Sequence, residues 1–240
     1  MSKKKLYLIP VNIIDTQNNI HLPEYNFTIV QQLNYFIVEN AKEARSHLKK
    51  YNYNNIQTAQ LFELNKHTNW LELKNSLKPL FDENSIGLLS DAGCPGVADP
   101  GSEVIKYAHK NNIEVIPLVG PSSILLSIMA SGFNGQNFSF VGYLPVTKDE
   151  KIKKIKEIEN NSKKNNAAIY FIETPYRNES VFENLLQTLH PTTNLFIGLN
   201  IGASNGFTKS NTIAEWKKHA KINFNKQPCV FGVFAESLQL

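Results

Sequence analysis

The chain has 240 residues, 42% of them hydrophobic and 19% charged, with a formal net charge of +4. A chain of this length can fold as one large domain or two small ones around a sizeable core. No apolar run reaches membrane-spanning length, the basic start MSKKKLYLIP has too short an apolar segment for a signal peptide, and the two cysteines, Cys94 and Cys229, are too few for a disulfide framework and lack zinc spacing. The expectation is a cytoplasmic protein with reduced thiols and no metal. The mild positive charge permits an anionic partner without demanding one.

Residues 6–14, LYLIPVNII, have the apolar run of a buried opening strand. Residues 28–39 begin as a helix and end as a short strand, and 42–51 (KEARSHLKKY) form a helix. Residues 69–80 are helical, and SIGLLS (85–90) is a strand that runs into LLSDAGCPGVADPG (88–101). Residues 101–112 are an amphipathic helix with Val104, Ile105 and Ala108 on one face, and 113–119 the next strand. Alternation at this pace implies parallel βαβ units.

The pattern restarts after GPSS (120–123). An apolar helix (123–132) stops at Gly132, and a strand follows at 138–145. A charged helix covers 148–166, whose lysines suit a solvated face as well as a nucleic-acid surface. Residues 167–175 are a strand and 178–189 a helix with Asn178 as N-cap. Strands at 194–202 and 228–235 complete the core. The expected domains are 1–117 and 118–240, both α/β. His47 and His109, on helices, are expected to face solvent.

The stretch 88–101 places glycines, prolines and aspartates where a buried strand ends. In open α/β sheets, ligands bind outside the carboxyl ends of strands. Gly93 and Gly96 let a ligand lie against bare backbone, and Gly101 lets the next helix start close to the sheet. Asp91 and Asp99 can accept hydrogen bonds from a ligand or cap turns. The motif is neither the dinucleotide GxGxxG nor the GxxxxGK[ST] phosphate loop, which counts against NAD and ATP.

SDAGCPGVADPG, followed by IPLVGPSSILLSIMASG, resembles the tetrapyrrole methylase superfamily of S-adenosylmethionine-dependent methyltransferases. FIETPYR (171–177), ENAKEAR (39–45) and GYLP (142–145) are most similar to its branch of small-subunit ribosomal RNA 2′-O-ribose (cytidine) methyltransferases. The resemblance covers nearly the whole chain. It implies two α/β domains with the donor, S-adenosyl-L-methionine, bound in the cleft between them. It also implies a homodimer acting on ribosomal RNA or the small ribosomal subunit. Carried onto this sequence, the donor contacts are Asp91, Ala92, Gly93, Val97, Ala98, Ser122, Ser123, Phe171, Pro228 and Cys229. Glu39 is the candidate base, with Glu173 second. Arg45 and Arg177, the only arginines among 25 basic residues, are the candidate phosphate contacts, because arginine binds phosphate bidentately where lysine cannot.

The sequence departs from the branch in places. PVNIIDTQNN (10–19) stands where the family has a Gly-Asn-Leu turn, and Glu39-Asn40 stands for Glu-Asp. LNIGASNGFTK (199–209) replaces an Arg-Glu-Leu-Thr-Lys-like run. These changes fall on substrate-side features. Two other functions fit the same residues: methylation of a tetrapyrrole-like small molecule, and donor binding without catalysis.

Overall fold

A computed structural model of the chain describes residues 4–14, 21–64, 68, 71, 74–75, 77–82, 84–219, 222–224 and 226–236. Contacts divide it into two compact units, Met1–Ser122 and Ser123–Leu240. Both are α/β.

The first unit runs β1 (Lys5–Ile9), α1 (Glu24–Gln31), β2 (Tyr35–Val38), α2 (Ala41–Lys50), β3 (Gln60–Glu63), α3 (Lys78–Phe81), β4 (Ile86–Leu89), α4 (Ser102–Lys110) and β5 (Glu114–Pro117). Its sheet has the order β3-β2-β4-β1-β5 and every pairing is parallel. Alternating side chains feed two cores, as the two-residue period of a strand requires. Phe36, Val38 and Leu89 pack with Val30, Leu48 and Tyr51 on one face. Ile37, Ile86 and Leu88 pack with Val104 and Ala108 of α4 on the other.

Two details differ from the sequence-based expectation. The opening strand ends at Ile9 and not at residue 14, because Pro10 has no N–H to extend the ladder. Strand β3 was not anticipated. Within the helix expected at 69–80, residues 71, 74, 75 and 78–80 are helical and 77 is a turn, with α3 beginning at Lys78; residues 69, 70, 72, 73 and 76 lie outside the described residues.

The second unit runs α5 (Ser123–Ser131), β6 (Phe138–Tyr143), α6 (Lys148–Asn165), β7 (Ala168–Glu173), α7 (Asn178–Thr188), β8 (Asn194–Leu199), β9 (Phe207–Thr212), α8 (Ile213–His219) and β10 (Cys229–Phe234). Its sheet, β6-β7-β10-β8-β9, is mixed: β6 and β7 are parallel and the remaining pairs antiparallel. Phe171, Phe231, Ile197 and Val233 face a core closed by Ile155, Val181 and Trp216. Tyr170, Phe196 and Val230 face the opposite core, against which Ile128 of α5 packs. Asn178 does not cap α7. The cap position is Arg177, and the Asn178 side chain is buried with Nδ2 donating to the Gln227 carbonyl at 2.8 Å. Among the described residues no helix is long and apolar enough to cross a membrane.

Candidate active site

The parallel register places Ile9, Val38 and Leu89 side by side. The residues that follow β1, β2 and β4 therefore leave the sheet along one edge. Four loops meet there: those after β1, β2, β4 and β5. Tyr51 donates its buried hydroxyl to the Pro10 carbonyl at 2.5 Å. Asn26 Nδ2 donates to the Val119 carbonyl at 2.8 Å. The loop after β5 packs so closely on Pro10 that a Cβ at Gly120 would collide with the proline ring.

The glycine-rich turn is built on this platform. Gly93 has φ +70°, and its carbonyl accepts from Val11 N at 2.8 Å in an isolated bridge. A Cβ at Gly93 would lie 3.3 Å from Ile13 Cγ2 and 3.5 Å from the Pro121 carbonyl. Cys94 Sγ sits 3.3 Å from the same carbonyl. Gly96, at φ +83°, donates its N–H to both Asp99 oxygens at 2.9 Å, and Gly101 N–H donates to Asp99 Oδ1 at 2.7 Å. Asp99 thus caps the turn. A Cβ at Gly101 would lie 3.0 Å from Leu88 Cδ2, so α4 does start hard against the sheet. Ala98 holds φ +62°, a conformation that costs a non-glycine residue about 1–2 kcal/mol. Asp91, Ala92, Val97 and Ala98 are exposed.

Asp91 is held from two sides. Its N–H donates to Glu39 Oε1 at 2.9 Å. Its carbonyl lies 3.0 Å from His47 Nε2. A carbonyl oxygen only accepts, so Nε2 carries the proton. Burial pushes the Glu39 carboxyl above its ordinary value; the Asp91 N–H opposes this, and the nearby Asp91 and Asp99 carboxylates add to it. Burial also raises Asp91 and Asp99, the latter against the pull of the Gly101 and Gly96 N–H groups. His47 is pushed down by burial, against the pull of its bond to Asp91. The edge therefore gathers carboxylates in a partly desolvated setting, which suits a cationic ligand.

In the second unit, β7 ends at Glu173, whose side chain is 0% exposed. Its Oε1 accepts from Thr174 N at 2.7 Å and from Arg177 Nε and Nη2 at 2.9 and 2.5 Å. Glu173 and Cys229 are paired across the sheet. The Phe171 ring is fully buried and stacked on Phe231 at 5.5 Å. Cys229 is buried and its thiol pushed far up by burial. Neither side chain faces solvent. Pro228 is exposed and its carbonyl accepts from Asn200 N at 2.8 Å. Ser123 opens α5, its carbonyl accepting from Ser127 Oγ at 2.7 Å. Ser122, just before it, is half-buried. Among the described residues, no group of three or more His, Cys, Asp or Glu side chains could hold a metal ion.

No protein-family model matches the chain. Among curated proteins, the chain is 30% identical over 173 residues to "Ribosomal RNA small subunit methyltransferase I" of Leptospira biflexa serovar Patoc, a match covering 71% of this chain and 67% of that protein. The chain belongs to this methyltransferase family. A protein of the same name from Buchnera aphidicola subsp. Schizaphis graminum is 28% identical over 227 residues, or 92% of this chain and 75% of the relative. One from Halalkalibacterium halodurans is 31% identical over 149 residues, or 62% of this chain and half (50%) of the relative's length.

Within the family's motif ENAKEAR, the structure gives Asn40 a definite task. Asn40 Oδ1 caps α2, accepting from Lys42 N at 2.9 Å and Glu43 N at 3.2 Å. Asparagine and aspartate serve an N-cap equally well, so the change from the Glu-Asp pattern keeps the helix start. Arg45 is exposed and donates to the Ala41 carbonyl of its own helix at 3.4 Å, not to Glu39. The expectation that His47 faces solvent is wrong: it is 9% exposed and bound to Asp91. Its signal was in the sequence. Ala44, His47, Leu48 and Tyr51 fall at the i, i+3, i+4, i+7 spacing of a buried helical stripe, and all four are buried. His109 is exposed, as expected.

Proposed function

We propose that the chain is an S-adenosylmethionine-dependent methyltransferase that methylates a ribose 2′-hydroxyl in small-subunit ribosomal RNA. Family membership supports this reading most directly. The glycine-rich turn at the carboxyl edge of an all-parallel sheet adds the physical support, because that edge is where such sheets hold ligands. A sulfonium donor carries positive charge, and the edge offers Glu39, Asp91 and Asp99 within one another's field. No observation favours a tetrapyrrole substrate or a module without catalysis.

S-adenosylmethionine, when bound, supplies an electrophilic methyl group on sulfur. The chain's part is to place the hydroxyl in line with it and to exclude water. Glu39 is assigned as the base. Its Oε1 keeps Asp91 in place, and its second oxygen would accept the proton of the ribose hydroxyl. A carboxylate lifted by burial accepts a proton more readily near neutral pH. Glu173 ranks second, because three N–H donors already occupy its Oε1. Donor contacts are assigned to Asp91, Ala92, Gly93, Val97, Ala98 and Ser122 in the first unit. In the second unit they are Ser123, Phe171, Pro228 and Cys229, with backbone rather than side chain serving at Phe171 and Cys229. Arg45 and Arg177 are assigned to substrate phosphate, Arg177 through Nη1, the nitrogen that Glu173 does not engage. The reading includes a homodimer in the cytoplasm and the domain division 1–117 and 118–240.

Calorimetry with S-adenosylmethionine and its demethylated product tests the reading at its base. Binding of both is expected. No detectable heat at millimolar donor would overturn it.

A further inference from the structure

We infer that His47 is a positioning residue that sets the shape of the donor turn through the Asp91 backbone. The inference rests on the methyl-donor reading above. β4 ends at Leu89, and the chain must then reverse through Ser90 and Asp91 before Gly93. Among the described residues, no strand pairing holds Asp91. Two side chains take its place: Glu39 Oε1 accepts the Asp91 N–H at 2.9 Å, and His47 Nε2–H donates to the Asp91 carbonyl at 3.0 Å. The two bonds engage the peptide units on either side of the Asp91 Cα, so together they fix both of its backbone dihedrals. Those dihedrals determine where the Ala92 and Gly93 backbone points.

His47 suits this task because its own position is fixed. Asn40 caps α2 and sets where the helix starts. Ala44 and Leu48, buried on the same stripe, lock its rotation against Phe36, Val38 and Leu89 of the sheet. A rigid imidazole two turns into the helix then reaches the turn with its proton on Nε2. A lysine or arginine could reach as far but would bring a charge into a half-apolar corner. The charges that act on the ring are those of Lys50, Asp91 and Glu43.

The test compares donor-product affinity of the full chain with His47→Gln and His47→Leu. Glutamine keeps an N–H donor at similar reach, whereas leucine keeps the apolar stripe and loses the donor. His47→Leu should weaken binding about tenfold, the cost of leaving one carbonyl without its bond, and His47→Gln should recover most of it. Circular dichroism and the urea midpoint establish that each variant is folded. Equal affinity of wild type and His47→Leu would overturn the inference and leave the methyl-donor reading intact. So would a folded His47→Gln as weak as leucine. Failure of the wild type to bind overturns both. If His47→Leu does not fold, nitrogen NMR of the unaltered protein decides. The Nε2–H tautomer, with a shift that moves on donor addition, supports the assignment. The Nδ1–H tautomer, or an unmoved resonance, refutes it.

Discussion

Arg177→Met should destabilise the second unit by about 3 kcal/mol. The Glu173 side chain is 0% exposed and Arg177 is 30% exposed. Removing one partner of a buried ion pair costs about 3–5 kcal/mol, because the remaining charge stays buried and unpaired. Solvent reaches part of the guanidinium, so the lower end of that range applies. The Thr174 N–H at 2.7 Å still contacts Oε1 and limits the loss. The double variant Glu173→Gln/Arg177→Met removes the charge as well, and should recover to within about 1 kcal/mol of the parent. Urea unfolding followed by Trp216 fluorescence provides the assay, in a Trp70→Phe background that removes the other indole. Trp216 is buried in the same core, its Nε1–H donating to the Leu195 carbonyl at 2.8 Å. An Arg177→Met protein within about 1 kcal/mol of its parent would refute a stabilising role for the Glu173–Arg177 pair. Arg177 would then be held for substrate alone, and its pairing with Glu173 would carry no energy.

Three other outcomes follow from the geometry. Gly120→Ala should destabilise the first unit severely, by about 3 kcal/mol or more, because its Cβ would overlap Pro10; urea titration against the parent checks this. Burial raises Glu39, so its folded-state pKa lies above the unfolded one, and the stability it contributes is present at acid pH and lost as pH rises through the raised value. Glu39→Gln, whose amide oxygen can still accept from Asp91, should therefore be more stable than the parent at neutral pH. The difference should vanish at acid pH while methyl transfer is lost throughout, and unfolding curves across pH decide the point. Asn40→Ala should cost about 1 kcal/mol of stability and Asn40→Asp almost nothing, as measured by chemical denaturation.

Most of the architecture was legible in the sequence because strands buried on both faces are plainly apolar. IGLL and CVFGVF leave little choice. The strands that escaped notice, β3 and β9, are both sheet edges. An edge strand buries little, and QLFE and FTKSNT carry the polar residues that discourage further pairing. The glycine-rich turn was also legible, since positive φ at Gly93 and Gly96 leaves a mark in composition. Which residues brace that turn was not. Glu39 meets Asp91 only because β2 and β4, separated by about fifty residues of chain, run in parallel register. A one-dimensional reading could see Glu39 as an acid and Asp91 as a ligand contact, but not their bond. Arg177 was singled out for its rarity, and the structure adds that Glu173 already engages two of its nitrogens.

Methyl transfer tests the central claim most directly. Labelled S-adenosylmethionine is offered to the purified chain with small ribosomal subunits, naked small-subunit RNA and a porphyrinoid in parallel. The RNA is then digested by alkali, which a 2′-O-methylated ribose resists. The account predicts label in small-subunit ribosomal RNA at an alkali-resistant nucleotide, and its loss in Glu39→Gln. Label in the porphyrinoid alone, or none in RNA from a protein that binds the donor, would contradict it.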